Sequence, residues 1–171
     1  MKLTIVINGM GGVGKDTLCR FAAERYKTEN ISSITPIKEL AAVCGWQGGK
    51  SDRDRKFLSD LKALTAEYND YPTNYLLSRY RAFLSSGDEL LFVHIREPGE
   101  IEKFVRKTDG GAITLLVRGG ERFARAAYGN ASDDGVEDYP YDYVFVNDLP
   151  LDKTGEAFLS FLDGVIRERG K

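Results

Sequence analysis

The chain is poor in the residues that build metal centres and covalent cross-links: two cysteines, one histidine and two methionines among 171 residues. Cys19 and Cys44 have no metal-ligand spacing and cannot frame a disulfide scaffold, so they read as small apolar residues in a reducing compartment. Charge of one sign is missing too. The 24 Lys and Arg against 26 Asp and Glu leave a formal net charge of −2, and the isoelectric point is near 5.6. A general nucleic-acid binder is normally basic, so that class is disfavoured. No apolar run approaches transmembrane length, and the N-terminal run is too short for a signal peptide. The expectation is a cytoplasmic protein with no membrane or nucleic-acid partner; the sequence leaves oligomeric state open. At this length one domain with a substantial core is expected, with no repeat or linker.

What is present is concentrated near the N-terminus. Residues 9–17 read Gly-Met-Gly-Gly-Val-Gly-Lys-Asp-Thr and follow the apolar run Leu3-Thr4-Ile5-Val6-Ile7. This matches a phosphate-binding loop between a strand and a helix, G-x-x-x-x-G-K-[ST], with Asp16 where a hydroxyl is usual and Thr17 one place later. A phosphate chain needs many donors converging on a small volume. The spacing predicts that Gly9, Gly11, Gly12 and Gly14 adopt positive φ, so that backbone N–H groups, including that of Val13, form an anion nest. The following helix, from about 14 to 26, adds its unpaired N–H groups and the positive end of its dipole. Lys15 is the candidate catalytic cation, reaching the β- and γ-phosphates. Asp16 is a hard oxygen ligand suited to Mg²⁺. Thr17 is the second metal candidate, its hydroxyl also able to serve the α-phosphate or a helix cap.

Along the rest of the chain, strands and helices alternate. Strands are predicted over Leu3–Asn8, near 31–35, and over 89–95, 112–117 and 141–146. Helices are predicted from Pro36, from about 52 to 68 with Asp52 as N-cap, from Pro72, after Pro98-Gly99, and from about 153 to 169. In the 52–68 helix, Phe57, Leu58, Leu61 and Leu64 mark the apolar side. Alternating elements with buried strands mean an α/β protein, a three-layer α/β/α sandwich with a mainly parallel sheet. Ligands in such sheets lie at the carboxyl ends of the strands. The glycine-rich loop, Arg96, the residues after Val117 and Asn147-Asp148 all fall at that edge.

With these pieces in order, the chain resembles the phage-type deoxynucleotide monophosphate kinases and their bacterial relatives, within the nucleoside-monophosphate-kinase-like P-loop proteins. The resemblance is carried by Gly14-Lys15-Asp16-Thr17, by Pro36-Ile37-Lys38-Glu39-Leu40, by Arg55-Lys56-Phe57-Leu58, by Arg96-Glu97-Pro98-Gly99-Glu100 and by 141–148. It implies ATP as donor, Mg²⁺ as metal and a small-molecule nucleotide as acceptor. Arg55, Arg96 and Lys38 become acceptor-site candidates, and Asn147 a donor-base contact. Arg118, Arg122 and Arg125 lie where related kinases keep a lid, here about 118–140, and are candidates to balance transition-state charge. One departure stands out: where the family pattern has D-x-R, this chain has His94-Ile95-Arg96, one acid fewer beside the metal.

His94 itself reads either as a strand-end histidine satisfied by a backbone carbonyl or as a partner to metal-bound water or phosphate. Asp133, Asp134, Glu137 and Asp138 form an acidic patch that reads as a solvated loop. Trp46 and the tyrosines at 68, 71, 75 and 80 are candidates to stack on an acceptor base. The leading expectation is phosphoryl transfer from ATP to a nucleoside or deoxynucleoside monophosphate. The alternatives are an ATP- or GTP-binding module with little transfer, to which His94 points, and a kinase for another small phosphorylated acceptor.

Overall fold

The computed structural model describes residues 2–120 and 135–169. Five parallel strands form one sheet in the order β2-β3-β1-β4-β5: β1 Leu3–Asn8, β2 Thr28–Ser32, β3 Leu90–His94, β4 Ala112–Gly119 and β5 Tyr143–Asn147. The helices are α1 Lys15–Ala23, α2 Thr35–Val43, α3 Asp52–Asn69, α4 Tyr71–Ser85, α5 Pro98–Lys107 and α6 Leu151–Arg169, with a 3₁₀ turn at Val136–Asp138. The expected α/β class with a helix-flanked parallel sheet is what forms.

Period-two alternation of side chains gives the sheet two apolar faces. Ile5, Ile7, Leu90, Phe92, Leu115 and Val117 join Leu18 of α1 and Phe158 and Leu162 of α6 in one core. Val6, Leu91 and Val93 join Leu76 and Phe83 of α4 and Ile101 and Phe104 of α5 in the other. Helices α1 and α5 therefore leave the adjacent strands β1 and β3 toward opposite faces. That divergence opens a crevice at the carboxyl ends of β1 and β3, the switch point at which such sheets bind ligands.

Several predicted boundaries move. The second strand begins at Thr28, because an edge strand needs ladder bonds on one side only and its polar Thr-Glu-Asn start resembles a loop. The last strand begins at Tyr143, since 141 and 142 are anchored through side chains. The Asp142 carboxylate accepts the backbone N–H and the hydroxyl of Thr114, at 2.8 and 3.0 Å. Helix α1 ends at Ala23, earlier than its pattern suggests. The N-cap of α3 is Ser51 rather than Asp52: its hydroxyl accepts from Asp54 N while Ser51 N donates to the Asp54 carboxylate, a capping box. The predicted apolar side of α3 is only partly covered, with Leu58 and Leu61 half-buried. No α3 residue is fully buried, and Leu64 is 64% exposed. Cys19 is buried as expected, whereas Cys44 is exposed.

Candidate functional site

The glycine-rich loop leaves the central strand and turns into α1. Gly9, Gly12 and Gly14 have φ of 148°, 82° and 92°, the positive values expected; Gly11 does not, so three glycines rather than four shape the turn. Gly9 is pressed against β4, where an added Cβ would lie 2.3 Å from the Val117 carbonyl oxygen. Gly12 has open space, with nothing within 4 Å of a Cβ there. The N-cap of α1 is Gly14 in the left-handed region, with no side-chain cap. The first-turn N–H groups thus meet no capping side chain, the arrangement that receives an anion.

Lys15 folds back over the loop. Its ammonium donates to the Gly9 carbonyl and, at 2.9 Å, to the Met10 carbonyl. Asp16 is exposed on the first turn of α1, and the Thr17 hydroxyl accepts from Arg20 at 3.3 Å. Asn147, the predicted base contact, is buried at the end of β5 and braces the loop. Its amide donates to the Val13 carbonyl at 2.9 Å, and the same nitrogen would stand 2.8 Å from a Cβ on Gly14. Thr154 of α6 donates to the Asn147 side-chain oxygen at 3.4 Å.

His94 ends β3 directly beside the loop's root, in register with Ile7. Its partner is a side chain rather than the backbone carbonyl anticipated. Nε2 lies 3.4 Å from Asn30 Oδ1 and 3.9 Å from Cys19 Sγ. Burial holds the imidazole below its usual pKa, opposed by the Asp16 charge and assisted by Lys15, so the ring is neutral at pH 7. Burial likewise pushes the Cys19 thiol up to about 12, with Asp16 adding to it. That thiol is unreactive, because the thiolate is the nucleophile.

Arg96 follows β3 and is exposed. The start of α5 just beyond it is tied to α3, since Lys62 donates to Glu97 at 2.7 Å and to Glu100 at 2.8 Å. Arg118 lies at the end of β4, one residue beyond the predicted strand, and forks onto the Glu137 carboxylate at 3.0 to 3.1 Å through Nε. A candidate phosphate ligand and a member of the acidic patch are thus paired with each other. Lys38 and Arg55 stand exposed on the first turns of α2 and α3. Arg122, Arg125, Asp133 and Asp134, with most of the expected lid, lie outside the described residues. Of the aromatic candidates, Tyr75 and Tyr80 pack on the second core and Tyr68 is 84% exposed. The sequence reading missed Asn8 and Asn30. The signal for Asn8 was a polar residue closing an otherwise apolar strand.

No group of three or more His, Cys, Asp or Glu side chains poised for a metal occurs among the described residues. Asp16 and Thr17 both lie on the first turn of α1, directly after the loop. No helix among the described residues is long and apolar enough to cross a membrane.

No protein-family model and no curated protein sequence matches the chain. Solved structures do. The Deinococcus radiodurans tunicamycin resistance protein superposes with a TM-score of 0.58 at 14% identity, over 95% of this chain and 96% of that one. A sugar kinase from a Janibacter species gives 0.51 at 17% identity, over 95% of both chains. A Thermus thermophilus protein gives 0.52 at 19% identity, over 95% and 97%. The chain shares their α/β fold. At these identities the likeness speaks for the fold alone, and it covers nearly the whole of each chain.

Proposed function

We propose that this protein transfers the γ-phosphoryl group of ATP to a nucleoside or deoxynucleoside monophosphate. The observation that carries the reading is the loop itself. Three left-handed glycines, a lysine folded over the turn and a helix start without a side-chain cap stand at the carboxyl end of the central strand, beside the switch-point crevice. The ordered motifs shared with the deoxynucleotide monophosphate kinases favour the acceptor class. The sugar kinase among the structural neighbours supports phosphoryl transfer in general.

In this reading, the loop N–H groups and Lys15 hold the donor phosphates. Asn147 holds Val13, and so fixes the direction of the loop amides. Arg96, exposed just after the adjacent strand β3, would orient the acceptor phosphate and offset charge as it builds up. Lys38 and Arg55 would extend the acceptor side, with Arg118 joining on release from Glu137. Mg²⁺, held by Asp16 and Thr17, would neutralise phosphate charge. Asp16→Asn is expected to raise the Mg²⁺ concentration for half-maximal rate by about tenfold, and Thr17→Ala by clearly less. Equal, mild effects in a Mg²⁺ titration would remove Asp16 from the metal site.

A second reading, nucleotide binding with little transfer, is favoured by His94. The residue beside the loop is a neutral, half-buried imidazole, a poor Mg²⁺ ligand. A panel of mono- and deoxymononucleotides with ATP·Mg²⁺, followed by ADP release, separates the two. Stimulation by at least one acceptor supports transfer. Tight ATP binding without stimulation by any of them selects the second reading.

A further inference from the structure

Asn8 closes β1 and is completely buried. Its side chain joins the start of the loop to two distant parts of the chain. Oδ1 accepts from Gly9 N at 2.8 Å, and Nδ2 donates to the Arg96 carbonyl at 3.0 Å and to the Tyr141 hydroxyl at 2.7 Å. Both amide hydrogens are thereby used. The Tyr141 hydroxyl passes the link on, donating to the Val136 carbonyl at 2.8 Å. Val136 opens the 3₁₀ turn whose Glu137 grips Arg118.

The location matters as much as the bonds. Gly9 begins the phosphate loop on β1, and Arg96 begins the turn that leaves β3. Those two segments diverge at the switch point, and the Asn8 amide spans the gap beneath them. The Tyr141 hydroxyl is a fixed point: its ring meets Tyr139 edge-on at 5.1 Å and packs on the second core. The Asn8 amide is fully buried, and leaving it unpaired costs about 1–3 kcal/mol. A shift of the loop backbone therefore cannot leave the Arg96 turn and the 136–138 turn where they are.

We propose that Asn8 and Tyr141 are positioning residues that hold the Arg96 turn and the 136–138 turn in register with the phosphate loop, so that a nucleotide bound at the loop is felt at both. The inference rests on the nucleotide-site reading above and adds to it a physical connection between donor and acceptor sides.

Amide hydrogen exchange of the full chain with and without ATP·Mg²⁺ tests it, on the wild type, Tyr141→Phe and Asn8→Ala, with thermal unfolding alongside. In the wild type, nucleotide is expected to slow exchange by about fivefold at 94–97 and at 136–142 as well as at 9–17. In Tyr141→Phe, protection at 9–17 persists while that at 136–142 is lost; in Asn8→Ala, that at 94–97 is lost too. If Asn8→Ala does not fold, Tyr141→Phe decides alone, since its ring packing is kept. Protection confined to the loop in the wild type, or unchanged in Tyr141→Phe, overturns the proposal. In the acceptor panel, Tyr141→Phe should raise the acceptor KM about fivefold with the ATP KM unchanged, a split that loss of stability alone does not produce. A wild type that protects all three segments yet phosphorylates no acceptor refutes the transfer reading and leaves the positioning role standing.

Discussion

Lys15→Ala should lower ATP-dependent transfer by about 10²- to 10³-fold, the usual effect of deleting one preorganised charge from a transferring group. The side chain lies over the loop in contact with the carbonyls of Gly9 and Met10. It is thus placed at the rim of the nest before any phosphate arrives, and little reorganisation is needed to engage one. Stability should change by only about 1 kcal/mol, because the lysine is half-buried and both its acceptors can turn to water. Steady-state rates and a urea melt on the same preparation check both halves. Retention of transfer within a few-fold of wild type would mean that the loop is not the donor site.

Gly9→Ala is the second large effect, and it acts through shape. At φ 148° an L side chain is strained, and the new Cβ would sit 2.3 Å from the Val117 carbonyl oxygen, a backbone atom of β4 that cannot swing aside. A destabilisation of about 3 kcal/mol is expected, with loss of ATP binding as the loop is pushed off the sheet. Gly12→Ala is the internal comparison. Its φ of 82° is unfavourable too, but nothing lies within 4 Å of the new methyl. It should cost about 1–2 kcal/mol. Urea melts that show equal losses at the two positions would rule out close packing of Gly9 on β4.

Much of this was legible in the sequence, for identifiable reasons. The central strands carry uninterrupted apolar runs because both faces of the sheet are covered, so Leu3–Asn8 could be read directly. The edge strands could not. Thr28–Ser32 begins with polar residues because only one of its sides joins the ladder, and 141–142 look like strand but spend their polar groups on anchoring side chains. The α3 pattern misled for a different reason. Phe57, Leu58, Leu61 and Leu64 recur at helical spacing, yet none is fully buried and Leu64 stays 64% exposed, because periodicity records spacing rather than contact.

At the site, the loop was readable because its chemistry depends on local backbone. The residues around it were not, because their roles arise from contacts across the sheet. Asn147 lies at the expected strand end but turns inward to Val13. Arg118 lies at the expected edge but is held by Glu137, and a pairing across 19 positions leaves no mark in a local pattern. Asn8 escaped notice because one asparagine at a strand end is ordinary until its three partners are known.

The central claim is that the bound nucleotide gives its phosphoryl group to an acceptor monophosphate. The most direct measurement follows the label from γ-³²P-ATP in the presence of Mg²⁺ and each nucleoside or deoxynucleoside monophosphate in turn. Label appearing in a nucleoside diphosphate, and absent with Lys15→Ala, is the result predicted here. Label that stays in ATP or emerges only as inorganic phosphate with every acceptor would contradict it.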